Sequence, residues 1–69
     1  MNVNYNKLWK LLIDRGLKKT DLIEITGIGT ATLAKMGKNK AVSLGILFKI
    51  CETLDCNIED VCDFLKEVN

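Results

Sequence analysis

Cys51, Cys56 and Cys62 are the side chains best suited to do chemistry in this chain, because a thiolate is both a nucleophile and a metal ligand. Their spacing argues against either use. No Cys-x-x-Cys pair occurs, the number is odd, and the sequence has no histidine to complete a metal site or to serve as a base. In a reducing compartment the three read as small apolar fillers of a core. Other partial motifs fail on particular residues. Gly27-Ile28-Gly29 resembles the opening of a dinucleotide fingerprint, but no strand precedes it and the third glycine is missing. Asp55, Asn57 and Glu59 alternate like the start of a calcium loop, but Asp60 stands where a glycine is needed, so a capped helix start explains them better. The expectation is a protein that is not an enzyme and that needs no metal or cofactor.

What remains is binding by charge. Residues 1 to 50 carry nine Lys/Arg against three acids (Asp14, Asp21, Glu24), whereas residues 51 to 69 carry Lys66 against six acids. The formal charge of +1 therefore conceals a basic part and an acidic part, and only the first attracts a polyanion. Between Glu24 and Glu52 there is no acid, and within that window lies GIGTATLAKMGKNK, residues 27 to 40. This segment is too poor in bulky side chains to build a core, and its three lysines fall within six residues.

The elements that would position these residues read as helices. Tyr5, Leu8, Trp9, Leu12 and Ile13 form the stripe of a first amphipathic helix, capped by Asn4 and ended by Gly16. A second runs from about Lys19 to Thr26 and stops at Gly27. A third spans about Thr30 to Met36, with Leu33 and Met36 inward and Gly37 closing it. Ser43 caps a fourth, whose stripes (Leu44, Leu47, Phe48, Cys51, Leu54 and Ile46, Ile50) predict a central helix. Asn57 and Asp60 resemble a capping box opening a fifth, with Ile58, Val61, Cys62 and Leu65 at helical spacing. No stretch alternates with period two, so no sheet is expected. The fold class is all-α, a single domain over residues 1–69 made of five short helices. With no apolar run near the ~20 residues that cross a bilayer, and an N-terminus unlike a signal peptide, the expected location is the cytoplasm.

A short helix, a glycine-led turn and a second short helix with a small, polar outer face describe a helix-turn-helix. Small side chains matter because a helix entering the major groove must bring its backbone near the base edges. On LKKTDLIEITGIGTATLAKMGKN (17 to 39) and VSLGILFKICETLDCNIEDV (42 to 61), the chain resembles the Cro and phage-repressor type of helix-turn-helix regulators, in particular small single-domain members. The resemblance implies that Gly27 is the turn glycine, that Ile28 and Leu33 lock the two helices, and that Met36 is the last core residue of the recognition helix. It places Thr30, Ala31 and Lys35 at base edges and Lys19 and Lys38 on phosphates. Lys19 replaces the family's common glutamine, and Ile23 its usual small residue.

The residues themselves extend that set. Lys35 is the one long donor on the outer face of the third helix, suited to guanine O6/N7, while Thr30, Thr32 and Ala31 suit hydrogen bonds or a thymine methyl. Lys18, Lys19 and Thr20 stand at the start of the second helix, where a docked phosphate would meet both cations and free amides. Lys38, Asn39 and Lys40 follow the recognition helix as backbone contacts. Phe64 and Val68, off the main stripe of the fifth helix, either cap the core or, with Leu65, form a dimer patch, the reading favoured here. The expected function is a sequence-specific regulator, most simply a repressor, that binds double-stranded DNA at a short palindromic operator as a homodimer. The alternative is a protein-interaction module on the same fold, an antitoxin-like partner or an adaptor.

Overall fold

The computed structural model describes residues 2–65, with side chains as far as Phe64. The order is β1 (Asn2–Asn4), α1 (Asn6–Asp14), α2 (Asp21–Thr26), α3 (Thr30–Gly37), α4 (Leu44–Leu54), a single 3-10 turn (Ile58–Asp60) and β2 (Asp63–Leu65). None of the described helices is long and apolar enough to cross a membrane.

Each of the four α-helices is ended by a residue in the left-handed conformation. Gly16 (φ 71°) and Gly27 (φ 77°) follow α1 and α2, and Asn39 (φ 57°) and Asp55 (φ 51°) follow α3 and α4. Hydrogen bonds show why the chain turns there. Leu17 N–H donates to Leu12 C=O (2.8 Å), Lys40 N–H to Lys35 C=O (2.9 Å) and Cys56 N–H to Cys51 C=O (3.0 Å). These are the six-to-one closures of Schellman motifs, which satisfy carbonyls that the helix leaves open. Gly37 was expected to close α3, but it lies inside that helix, and Asn39, whose short side chain tolerates the left-handed region, makes the stop.

Helix starts follow the sequence more closely. Ser43 Oγ accepts from Ile46 N–H (3.3 Å), as a capping serine should. Asn4, the expected cap of α1, instead ends β1, one residue before the actual N-cap Tyr5, and its side-chain oxygen accepts from Asn6 N–H at 3.3 Å.

The core draws on every helix. Tyr5, just before α1, and Leu8 and Leu12 within it pack with Leu22 of α2, Ile28 of the turn and Met36 of α3. Leu47, Ile50 and Leu54 of α4 enter from the other side, and Val61 and Cys62 complete it. Only one face of α4 is covered: Leu44 and Phe48 are more than half exposed, so the helix is less central than its composition suggested. The Arg15 guanidinium donates to Leu54 C=O, placing a cation at the C-terminal end of α4 where the helix dipole favours it.

Two expectations fail at the C-terminal end. The fifth helix is absent among the described residues, where the Asn57–Asp60 capping signal opens one 3-10 turn, with the Asp60 carboxylate accepting from Asn57 N–H at 3.1 Å. Beyond it the chain extends, and β2 pairs antiparallel with β1 in the register Asn2↔Leu65, Val3↔Phe64, Asn4↔Asp63. The absence of a sheet was therefore also wrong. Three-residue strands carry no readable alternation, and so short a helical segment depends on tertiary packing for its stability. Here Val61 and Cys62 are buried while Ile58 stays 40% exposed, so the apolar stripe that a helix would have buried is divided. Lys7 Nζ meets the Asp63 carboxylate at 3.0 Å and ties β2 to α1.

Met36 is fully buried and joins the third helix to the core. Met36→Ala is expected to destabilise the fold by about 2–5 kcal/mol, measured as a lower urea midpoint with an unchanged slope.

Candidate nucleic-acid interface

The turn between α2 and α3 is three residues long and is held by a threonine. Thr26 Oγ1 donates to Leu22 C=O and accepts from Ile28 N–H (3.3 Å), while Gly27 N–H closes on Ile23 C=O (3.0 Å). Ile28 is 2% exposed, and it fixes the turn to the core as a lock between the two helices. Gly29 is extended, and Leu33 N–H donating to Gly29 C=O (3.1 Å) starts the next helix.

With Met36 buried and Leu33 half-buried, α3 turns Thr30, Ala31, Ala34 and Lys35 outward, all four exposed. Ala34 belongs to this face by its place one turn after Thr30 and Ala31, although it was not among the expected base-reading residues. Thr32 differs from the other candidates. It is half-buried on the flank of α3, where with Lys35 it lines an open groove completed by Ala41, Val42, Ser43 and Ile46. The sequence reading missed Ala41 to Ser43 as part of this surface. The available signal was the capping serine itself, since a helix start beside a lysine is a place for an anion.

Lys38, Asn39 and Lys40 follow as exposed residues of the turn that ends α3. Asn39 has a structural duty there, because its left-handed backbone makes the turn. Tyr5 holds the far end of this segment: its hydroxyl donates to Lys40 C=O at 2.7 Å across 35 residues of sequence.

On the other side of the motif, Lys18, Lys19 and Thr20 precede α2 and are exposed. Thr20 makes no capping bond, and the first turn is closed by main-chain bonds such as Asp21 N–H to Lys18 C=O (3.0 Å). The Asp21 carboxylate accepts from Lys18 N–H at 2.7 Å, so the amide end of this helix already holds one anionic group, a feature the sequence reading did not include. Lys19 reaches back to α1, with its Nζ 4.5 Å from the centre of the Trp9 ring, a cation–π contact. Trp9 in turn lies against Tyr5, ring centres 6.4 Å apart and tilted by 56°. A continuous aromatic link therefore runs from Lys19, before the motif, through Trp9 and Tyr5 to Lys40, after it.

Two of the remaining cations face the acidic C-terminal part. Lys7 and Lys10 border a second groove shared with Asp14, Glu59 and Asp60, and Asp63 holds the Lys7 ammonium above its ordinary range through a direct hydrogen bond and its charge. The acidic C-terminal part thus offsets the lysines of α1, leaving those around α2 and α3 free of carboxylate partners closer than 4.0 Å among the described residues. Of the expected dimer residues, Phe64 is 62% exposed on β2. The Leu65 side chain and Val68 lie outside the described residues.

Comparison with known proteins agrees with this geometry. Residues 7–67 match the family model of the Cro/C1-type HTH DNA-binding domain, and the chain belongs to that family. It is 36% identical over 59 residues to an uncharacterised HTH-type transcriptional regulator, YozG, of Bacillus subtilis (strain 168), covering 83% of this chain and 70% of the relative. It is also similar to the crystal structure of the transcriptional regulator VanUg, Form II, at 53% identity and a TM-score of 0.91, over 96% of this chain and 88% of that one.

Burial, and secondarily the neighbouring Cys62, push the Tyr5 phenol above its ordinary value, with a smaller opposing effect from the Val42 backbone. A raised phenol contributes stability that is complete below the unfolded value of about 10 and is lost as pH rises through the folded one. Urea unfolding followed from neutral to alkaline pH should show that loss, and Tyr5→Phe should remove Tyr5's part of it while lowering neutral stability by about 0.5–1.5 kcal/mol.

Proposed function

We propose that this protein is a sequence-specific DNA-binding transcriptional regulator of the cytoplasm, acting as a repressor that occupies a short palindromic operator as a homodimer. The observation that carries the reading is the outer face of α3. Four exposed side chains, three of them small, stand on a helix whose other face is locked by Ile28 and Met36. Such a helix can bring its backbone close to base edges in the major groove. Lys35 is its one long donor, suited to the O6 and N7 acceptors of guanine, and Thr30, Ala31 and Ala34 present hydroxyl and methyl groups beside it. Thr32, on the flank, meets the strand that runs past Ser43.

Lys18, Lys19 and Thr20 grip phosphates on one side of the recognition helix, and Lys38, Asn39 and Lys40 on the other, setting register without reading sequence. Two half-sites require two copies. Phe64, exposed on β2, supplies the apolar side chain for a symmetric contact.

Lys35→Ala and Lys38→Ala separate these roles in duplex-binding titrations across salt concentrations. The Lys35 change should cost about 1–3 kcal/mol on a selected sequence and broaden the preference at one base pair. The Lys38 change should weaken all duplexes alike and reduce the slope of log K against log salt by about 0.9. Equal affinity of both variants and the parent for every duplex would overturn the reading.

For the dimer, Phe64→Lys should shift sedimentation of the protein–duplex complex from two protomers per operator to one while leaving the helical circular dichroism unchanged.

A further inference from the structure

The turn that ends α4 has a property that its counterparts after α1 and α3 lack. In a Schellman motif the main chain brings the residue three positions inside the helix end close to the second residue beyond it, and where both are apolar their side chains frequently touch. After α1 that pair is Leu12 and Leu17, and after α3 it is Lys35 and Lys40. After α4 both members are cysteines, Cys51 and Cys56, and both are free thiols and half-buried.

We propose that Cys51 and Cys56 form an oxidisable dithiol, a modification site that a hydroperoxide converts to an intramolecular disulfide. The geometry is set by main-chain atoms of the two residues themselves. Cys56 N–H donates to Cys51 C=O at 3.0 Å, which by standard backbone dimensions keeps the two Cα atoms within about 7 Å. Disulfides span Cα separations of roughly 4.4–6.8 Å. Left-handed Asp55 holds the turn in that form. The third thiol is placed differently: Cys62 is buried and its Sγ lies 3.9 Å from Ile58 C=O.

Burial, and after it the adjacent Cys51 sulfur, push the Cys56 thiol above its ordinary value. The Cys51 thiolate attacks one oxygen of the hydroperoxide, the O–O bond breaks and an alcohol leaves once protonated, giving Cys51 sulfenic acid. The Cys56 sulfur then attacks the Cys51 sulfur, the S–O bond breaks, and the hydroxyl leaves as water with the Cys56 proton. Two thiols and one hydroperoxide become one disulfide, one alcohol and one water. Cumene hydroperoxide is a suitable oxidant of this class.

The test is intact-mass and peptide mapping of the whole protein after treatment with graded cumene hydroperoxide. The parent and Cys62→Ser should each lose two hydrogens, with the bond mapped to Cys51–Cys56 and reversed by a dithiol reductant. Cys51→Ser should lose none. Cys56→Ser should instead accumulate a Cys51 sulfenic acid, trapped by a cyclic diketone nucleophile. A bond mapped to Cys62, a bond between two chains, or no mass loss at a dose that fully oxidises free cysteine would overturn the proposal.

Discussion

Everything in this small molecule depends on where its helices stop. A left-handed backbone costs an ordinary residue roughly 1–2 kcal/mol, so it persists only where the turn it makes is needed. Four left-handed residues, two of them glycines that bear no such cost, follow the four helices, and each sends the chain back across the same set of buried side chains. Gly27 matters most for function, because it allows a turn of three residues between α2 and α3 and so sets the recognition helix against its partner. Asn39 does the equivalent for the segment of cations that follows.

The two groups of lysines on either side of that motif are joined through α1, an element that contributes none of the proposed base contacts. Trp9 carries Lys19 on its face, Tyr5 lies beside Trp9, and the Tyr5 hydroxyl fixes Lys40. A positively charged surface needs such a frame, since like charges repel and flexible lysines gain little from surface contacts alone. The acidic C-terminal part contributes by occupying Lys7 and by sharing a groove with Lys10, away from the motif. The charge asymmetry of the sequence is in this way converted into a spatial one.

Much of this was legible in advance. The stripe of α1 as far as Leu12, the stops at Gly16 and Gly27, the cap at Ser43 and the inward Met36 each rest on a strong local rule, and the structure follows them. The buried Ile28 was implied by the family resemblance, and Ile13, expected on the α1 stripe, is 73% exposed. What could not be read depended on contacts between distant parts of the chain. β1 and β2 are three residues each and exist because they pair across nearly the whole described chain, Asn2 with Leu65 and Asn4 with Asp63, and the helix anticipated at Asn57 stops after one turn where that pairing begins. The groove by Ser43 escaped notice because Ala41 and Val42 are chemically plain and gain meaning only beside Lys35. Gly37 and Asn39 both tolerate the left-handed region, and α3 runs through the first and stops at the second.

The contact between Lys19 and the indole has a practical side. Trp9 is the sole tryptophan in the chain, and its emission therefore comes from one ring with one ammonium group over its face. Under the proposed phosphate contact, withdrawal of the Lys19 ammonium would change the electric field at that ring. With the proposed phosphate grip of Lys19, that single ring would carry an intrinsic optical readout of the event without any added dye.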